Sequence, residues 1–244
     1  NFIANVEGKL AGFTWNLVDK YSQAITIEAV EVHEDHLLRA RFCAIDRFKK
    51  SSERREPFAG NVLLDEPAFT INAAILEHRV PCLGFFLKEK FHVNIRKERL
   101  EAMNYFPGPW LNELKAAIHA KKDDDTLLQV PVTSSCGKEL KNVSLGELKK
   151  DLVIVTDGQK IGYIVDTVYN EKNKDKIVKL VRDADVFFCE SPFLAEEEER
   201  GRDRYHLTSR QAGLLAREAG VKQLMTFHFS PKHTFSQDQL RREA

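Results

Sequence analysis

Val186-Phe187-Phe188-Cys189-Glu190-Ser191, then Tyr205-His206-Leu207-Thr208-Ser209-Arg210-Gln211-Ala212-Gly213, then Leu224-Met225-Thr226-Phe227-His228-Phe229-Ser230-Pro231, is the series that decides the fold. An apolar run ends in a carboxylate, a helical pattern follows, and a second apolar run ends in an imidazole. Thr208 to Ala219 reads as a helix stopped by Gly220, because glycine enters the left-handed region at a helix end without strain. Lys222 to His228 reads as a closing strand and Val186 to Cys189 as a buried one. The same order holds upstream. Leu152 to Val155 and Lys160 to Val165 read as strands around an Asp157-Gly158 turn, and Asn173 to Ala184 as a helix. Strands alternating with helices predict an α/β layered domain.

Towards the N-terminus the pattern changes. Phe2, Val6, Leu10, Phe13 and Leu17 recur at helical spacing over residues 1–20. Residues 24–46 hold two alternating runs around the polar tip His33-Glu34-Asp35-His36, the mark of a hairpin. Residues 47–57 read as a charged loop, 61–64 and 69–78 as strand pieces, and Val80 to Leu87 as a further strand. Residues 88 to about 127 look unlike a sheet. Lys97 to Met103 predicts one or two helical turns, Pro107-Gly108-Pro109 a rigid turn, Leu111 to His119 a short amphipathic helix and Lys121 to Asp125 a solvated charge run. This segment is the expected inserted arm.

Composition sets the outer bounds. The chain has 244 residues, 37 basic against 37 acidic, and a formal net charge of zero. Neutrality excludes a uniformly basic nucleic-acid coat but permits a local basic patch. No run approaches the roughly 18 consecutive apolar residues of a membrane span. Cys43, Cys82, Cys136 and Cys189 are far apart and form no CxxC pair, so reduced thiols in a cytoplasmic protein are expected. The N-terminus lacks both a starting Met and the basic-then-apolar order of a leader, so an upstream part is expected to be missing.

The polar chemistry collects at strand ends. Asp166 follows Tyr163-Ile164-Val165, Glu190 follows Phe187-Phe188-Cys189, His228 follows Met225-Thr226-Phe227, His78 ends the piece containing Ile75 and Leu76, and His206 precedes a helix. Two or three imidazoles converging with a carboxylate form a donor set for a metal such as zinc.

These motifs, in this order, together with Leu76-Glu77-His78-Arg79-Val80-Pro81-Cys82-Leu83-Gly84-Phe85 and Ile164-Val165-Asp166-Thr167, resemble the ribonuclease Z family of tRNA 3′-processing endonucleases. The resemblance runs from about residue 24 onward. It implies a metallo-β-lactamase-like αββα sandwich. It also implies that Asp166 bridges two zinc ions, that His78 and His228 each complete one ion's ligands, that His206 contacts the scissile phosphate and assists proton transfer, and that Glu190 orients His206. Precursor tRNA is the implied substrate and a homodimer the implied assembly.

The departures shape the expectation further. The family's His-x-His-x-Asp-His signature is absent; Glu31-Val32-His33-Glu34-Asp35-His36 comes near it but has Glu for the first His and lies at a hairpin tip. Cys189 stands where the family has His, and Lys232-His233 where it has Arg-Tyr. With His78, Asp166 and His228 alone, each metal keeps two protein ligands, fewer than the three or four of a stable zinc site. The expectation is one domain over 1–244, incomplete at its N-terminus and represented mainly by its C-terminal half, that is inactive by itself. A hydrolase of another ester or phosphodiester, and a non-catalytic binding relative, are the alternatives.

The arm is the place where the family grips tRNA, with a Gly-Pro motif. Between 88 and 122, eight basic residues, among them Lys88, Lys90, Arg96, Lys97 and Arg99, face four acidic ones, a local charge of +4 around Gly108. Such a patch suits a folded RNA backbone, because cations that neutralise phosphates release condensed counterions.

Overall fold

The computed structural model describes residues 2–12, 25–134, 137–234 and 236–244, in two compact units, Asn1–Asn61 and Val62–Ala244. In the first, helix α1 (Phe2–Ala11) accompanies an antiparallel sheet of β1 (Thr26–Val32), β2 (His36–Cys43) and β3 (Lys50–Pro57). Ile3 of α1 joins Ala29, Ala40, Phe42 and Phe48 in one small core. The helical spacing is seen for Phe2, Val6 and Leu10, whereas Phe13 and Leu17 lie outside the described residues. The expected hairpin is present, with His33 and His36 stacked at its tip, ring centroids 4.2 Å apart.

The charged loop expected at 47–57 is instead strand β3, paired with β2 from His36↔Pro57 to Phe42↔Lys50. Its residues are almost all exposed, so no buried stripe betrayed it. Ladder hydrogen bonds and cross-strand ion pairs hold it, including Arg39 to Glu56 at 2.9 Å.

The second unit is built on a six-stranded mixed sheet. Its strands are β4 (Val62–Asp65), β5 (Phe69–Leu76), β6 (Cys82–Glu89), β11 (Lys160–Ile164), β12 (Val186–Glu190) and β13 (Leu224–Phe227), in spatial order β13-β12-β11-β6-β5-β4. The last three run parallel to one another, and β6 is antiparallel to β11. Parallel neighbours need crossovers, here α5 (Glu171–Leu180) between β11 and β12 and α7 (Ser209–Ala219) between β12 and β13. Asn170 caps α5 by accepting the Asn173 N–H at 2.8 Å. Thr208 and Gln211 form a reciprocal capping box on α7, and Gly220 ends that helix at φ 66°. Asn173, Ile177 and Leu180 form the buried stripe of α5, and Gln211, Ala212, Leu215, Ala216 and Ala219 that of α7. Both stripes cover one sheet face, with Phe86, Ile164, Phe187 and Cys189 beneath.

Between β6 and β11 the chain makes a long excursion. It comprises β7 (Phe91–Ile95), α2 (Lys97–Ala102), α3 (Trp110–His119), the hairpin of β8 (Leu127–Ser134) and β9 (Gly137–Ser144), α4 (Leu145–Leu152) and β10 (Val153–Asp157). The helical expectations at 97–103 and 111–119 correspond to α2 and α3. Two others are corrected. The start of the segment is sheet, since β7 pairs antiparallel with β10. Residues 152–155 and 160–165 are not a hairpin pair around Asp157-Gly158, because β10 pairs with β7 and β11 with β6. Local alternation reveals strands but not partners, which are chosen by the whole ribbon. The excursion reaches Asp157 rather than stopping near 127. It encloses its own core of Val93, Trp110, Leu114, Val130, Leu148 and Leu152. Over 91–157 ten basic residues meet ten acidic ones, so the +4 counted over 88–122 is balanced by the rest of the same structure.

Candidate metal centre

The three parallel strands end on the same side. Asp166 follows β11, Glu190 closes β12, and His228 follows β13. The carboxyl edge of parallel strands is where an open α/β sheet leaves a crevice for chemistry. His206 arrives from the loop between α6 (Glu198–Arg204) and α7. One potential ligand atom from each of Asp166, Glu190, His206 and His228 lies within 4.8 Å of all the others, and this is the only such group among the described residues.

Glu190 is the base of the site. Its side chain is 0% exposed, against 20% for His206, 42% for His228 and 46% for Asp166, so the group opens outward from a dry floor. The buried carboxylate accepts backbone N–H bonds from Asp166 at 2.8 Å, Thr167 at 3.3 Å and Leu207 at 3.1 Å. It also receives the Nδ1 atoms of His206 at 3.0 Å and His228 at 3.1 Å. Burial by itself would raise its pKa. The hydrogen bonds from His206 and His228, His206's charge and the Asp166 N–H outweigh that and hold it at about 2. The hydrogen bond to Glu190 raises the His228 pKa, against the opposing effect of burial.

An ionised carboxylate only accepts, so both imidazoles donate Nδ1–H to it and keep Nε2 as their remaining nitrogen. Metal-binding histidines carry this carboxylate partner because it fixes the tautomer and strengthens the donor nitrogen. The set therefore fits a divalent metal, with Glu190 as the orienting group, Asp166 and His228 as donors, and His206 as a further imidazole beside them.

His78 lies outside the group of four, although its ring centroid is 5.2 Å from that of His206. Its Nδ1 meets the Tyr205 carbonyl oxygen at 2.9 Å. A carbonyl only accepts, so His78 shares the tautomer of the other two.

Backbone strain gathers at the same place. Asp166 (φ 55°), Tyr205 (φ 64°) and His228 (φ 58°) all sit in the left-handed region. Side chains other than glycine occupy that region at a cost of order 1 kcal/mol each, and such residues persist where surrounding bonds over-determine them. Here those bonds are the Asp166 N–H to Glu190 and the His78 ring to the Tyr205 carbonyl.

Neither nearby cysteine belongs to the group of four. Burial, with the charges of Asp166 and Glu190, pushes the Cys82 thiol up to about 12, and it donates to the Asp166 carbonyl at 2.6 Å. Cys189 is wholly buried on the helix-covered face, and burial keeps its thiol protonated.

The Ser191 hydroxyl, beside Glu190, is buried without a hydrogen-bond partner. Removing an unsatisfied buried hydroxyl is expected to stabilise, so Ser191→Ala should gain about 1 kcal/mol in a urea melt. A loss of that size would mean that the hydroxyl has a partner.

Sequence reasoning overlooked Tyr205 and Asn173. Tyr205 acts through its main chain, which carries no residue-type signal. Asn173 looks like an ordinary polar helix residue until its complete burial is seen.

No family model matches the chain. It is similar to curated proteins named ribonuclease Z: 24% identical over 226 residues to that of Deinococcus radiodurans, covering 92% of this chain and 63% of that protein. The protein of Rippkaea orientalis is 32% identical over 174 residues (70% and 48%), and that of Geobacillus kaustophilus 31% over 173 residues (70% and 49%). The chain thus spans about half the length of most of these relatives. Among solved structures, the short form of human tRNase Z aligns at 19% identity over 70% of this chain and 40% of that one, with a TM-score of 0.40. The metallo-β-lactamase-fold protein YhfI of Bacillus subtilis aligns at 18% over 76% and 46%, with a TM-score of 0.41. From the strand-end motifs to the curated relatives that share most of its length, the chain belongs to the ribonuclease Z family.

Proposed function

We propose that the protein is a zinc-dependent endoribonuclease that removes the 3′ trailer from precursor tRNA. The observation that carries this reading is the Asp166, Glu190, His206 and His228 cluster, with both imidazoles tied through Nδ1 to one buried carboxylate. Bound zinc would supply Lewis-acid polarisation of the scissile phosphate and a more acidic water. Asp166, His228 and His78 would hold the metal. His206 presents Nε2 as the atom through which a proton passes to the leaving oxygen, and Glu190 keeps its ring in place and balances its charge.

The excursion is the proposed tRNA contact. A groove of about 510 Å³ is lined by Asn94, Lys97, Tyr105, Pro107, Gly108 and Lys115. A Cβ on Gly108 would meet Trp110 Cδ1 at 3.6 Å, an ordinary contact, and its φ is not positive. The fold itself does not require glycine there, which supports a role in close approach by a partner. Of the other proposed contacts, Lys90 pairs with Asp65 at 2.6 Å and Arg99 with Asp151 at 3.5 Å, so their charges are partly spent. Arg96 and Lys97 complete the set on the excursion, whereas Lys88 lies on β6 of the central sheet, paired with Thr70 and Lys160.

The test separates holding metal from moving protons. Asp166→Ala should lower zinc affinity at least 100-fold. His206→Ala should leave bound zinc unchanged and slow cleavage of a trailer-bearing tRNA at least 100-fold in a protein that cleaves it. Equal loss of zinc in both variants, measured by elemental analysis after dialysis, would overturn the assignment of roles. Turnover of a small ester or phosphodiester with the tRNA left intact would favour a hydrolase of another substrate.

A further inference from the structure

We infer that Asn173 is a positioning residue that ties the turn bearing His78 to the turn bearing Asp166. It sits in the first turn of α5, outside the metal cluster, yet is 0% exposed. Its Oδ1 accepts the Glu77 N–H at 2.9 Å. Its two Nδ2 hydrogens are shared among the Glu77 carbonyl at 3.0 Å, the Thr167 Oγ1 at 2.9 Å and the Val168 carbonyl at 2.9 Å. One buried amide thereby grips both main-chain groups of the residue before His78 and two residues directly after Asp166. The two turns also touch directly, through the Val168 N–H to the Glu77 carbonyl at 3.2 Å.

Residues 77 and 167 are 90 positions apart and follow strands, β5 and β11, that are separated by β6. No sheet ladder therefore joins them where they leave the sheet. A side chain with two donors and a carbonyl acceptor can satisfy both turns at once; a carboxylate, a hydroxyl or an aliphatic group cannot. The Glu77 side chain adds an outer brace by accepting from Asn170 Nδ2 at 2.8 Å and Lys172 Nζ at 2.9 Å. Lys172 lies on the helix that carries Asn173, and Asn170 caps it. Partners that orient ligand-bearing segments affect metal affinity without touching the metal, typically by 10- to 100-fold. The link to metal rests on the function proposed above; the tie between the two turns does not.

The experiment compares Asn173→Ala with Asn170→Ala, which removes the α5 cap and one bond of the outer brace on Glu77 but leaves the Asn173 side-chain amide and its four hydrogen bonds in place. In the metal-free wild type and variants, amide hydrogen exchange is read by NMR. Asn173→Ala should speed exchange at Glu77 and Val168 at least tenfold, with Leu215 and Ala216 in α7 unchanged. Asn170→Ala should leave Glu77 and Val168 within twofold of wild type. Titration with cobalt(II), followed by its visible absorption, should show 10- to 100-fold weaker binding in Asn173→Ala and near wild-type binding in Asn170→Ala. If Asn173→Ala does not fold, Thr167→Val removes one acceptor of the same amide and should give a smaller change at the same two amides. Unchanged exchange at Glu77 and Val168, or equal changes in both Asn variants, overturns the inference. A wild type that takes up no cobalt while the exchange result holds overturns the metal reading and leaves the tie standing.

Discussion

Glu190→Ala is expected to cost about 3–5 kcal/mol of folding stability, the range for leaving buried charged and polar partners without their counterpart. The Thr167 and Leu207 N–H groups are buried with Glu190 as acceptor, and the Asp166 N–H, His206 and His228 depend on it as well. Loss of the carboxylate also frees both imidazoles to change tautomer and releases the strained backbone at Asp166. The variant should therefore lose metal as well as stability. Urea melts and zinc titration check both. A stability loss below about 1 kcal/mol, typical of a single replaceable hydrogen bond, would show that Glu190 is not the keystone of the site.

The pH dependence gives this prediction a second edge. The folded pKa of Glu190, about 2, lies below its ordinary value of 4.5. The unfolded chain thus binds the proton more readily, and acid favours unfolding. The contribution of Glu190 is fully present above pH 4.5 and is lost as pH falls from there through about 2. The gap in stability between wild type and Glu190→Gln should accordingly narrow from pH 5 to pH 2.5. A gap that stays constant across that range would place the effect of the substitution in packing rather than in charge.

Trp110→Ala should cost about 3–5 kcal/mol, the usual penalty for deleting a buried aromatic side chain. The loss should fall on residues 91–157. Trp110 is 4% exposed and belongs to the core of the excursion, which is distinct from the core under α5 and α7. Its indole N–H is held by the Phe106 carbonyl at 2.8 Å, and its ring meets Tyr105 edge-on at 6.1 Å. Segments with separate cores open separately. Limited proteolysis should cut the variant within 91–157 first, while cobalt binding at the strand-end cluster stays within twofold of wild type. Protection lost equally in both cores would mean that they unfold as one. Gly108→Ala provides the contrast: a Cβ fits there, so stability should hold and any loss of tRNA affinity would report contact.

Much of the second unit was legible because its signals are local. Strand, polar stop and helix recur from Lys160 to His228, each encoded within a few residues, and the polar stops Asp166, Glu190 and His228 come together in one cluster. The motifs also carried the family. Legibility ended where structure depends on a distant partner. β3 has almost no buried residue to mark it, and β10 offers the same alternation whether it pairs with β7 or β11. The charge of the arm was misjudged for a similar reason: its boundary was set by composition, whereas the ribbon of β7 and β10 places it at Asp157.

The sequence by itself determined which residues could do chemistry, since acids and imidazoles at the ends of apolar runs are fixed by residue type and short-range pattern. It also determined the family. Tertiary structure alone decided that Asp166, Glu190, His206 and His228 meet, that one buried carboxylate sets the tautomer of two histidines, and that His78 is set by a main-chain carbonyl. Convergence is a property of strands brought together across 62 positions between Asp166 and His228, and backbone acceptors leave no trace in residue identity. The long-range hydrogen bonds of Glu190 and Asn173 therefore become visible only once the sheet has placed their partners within reach.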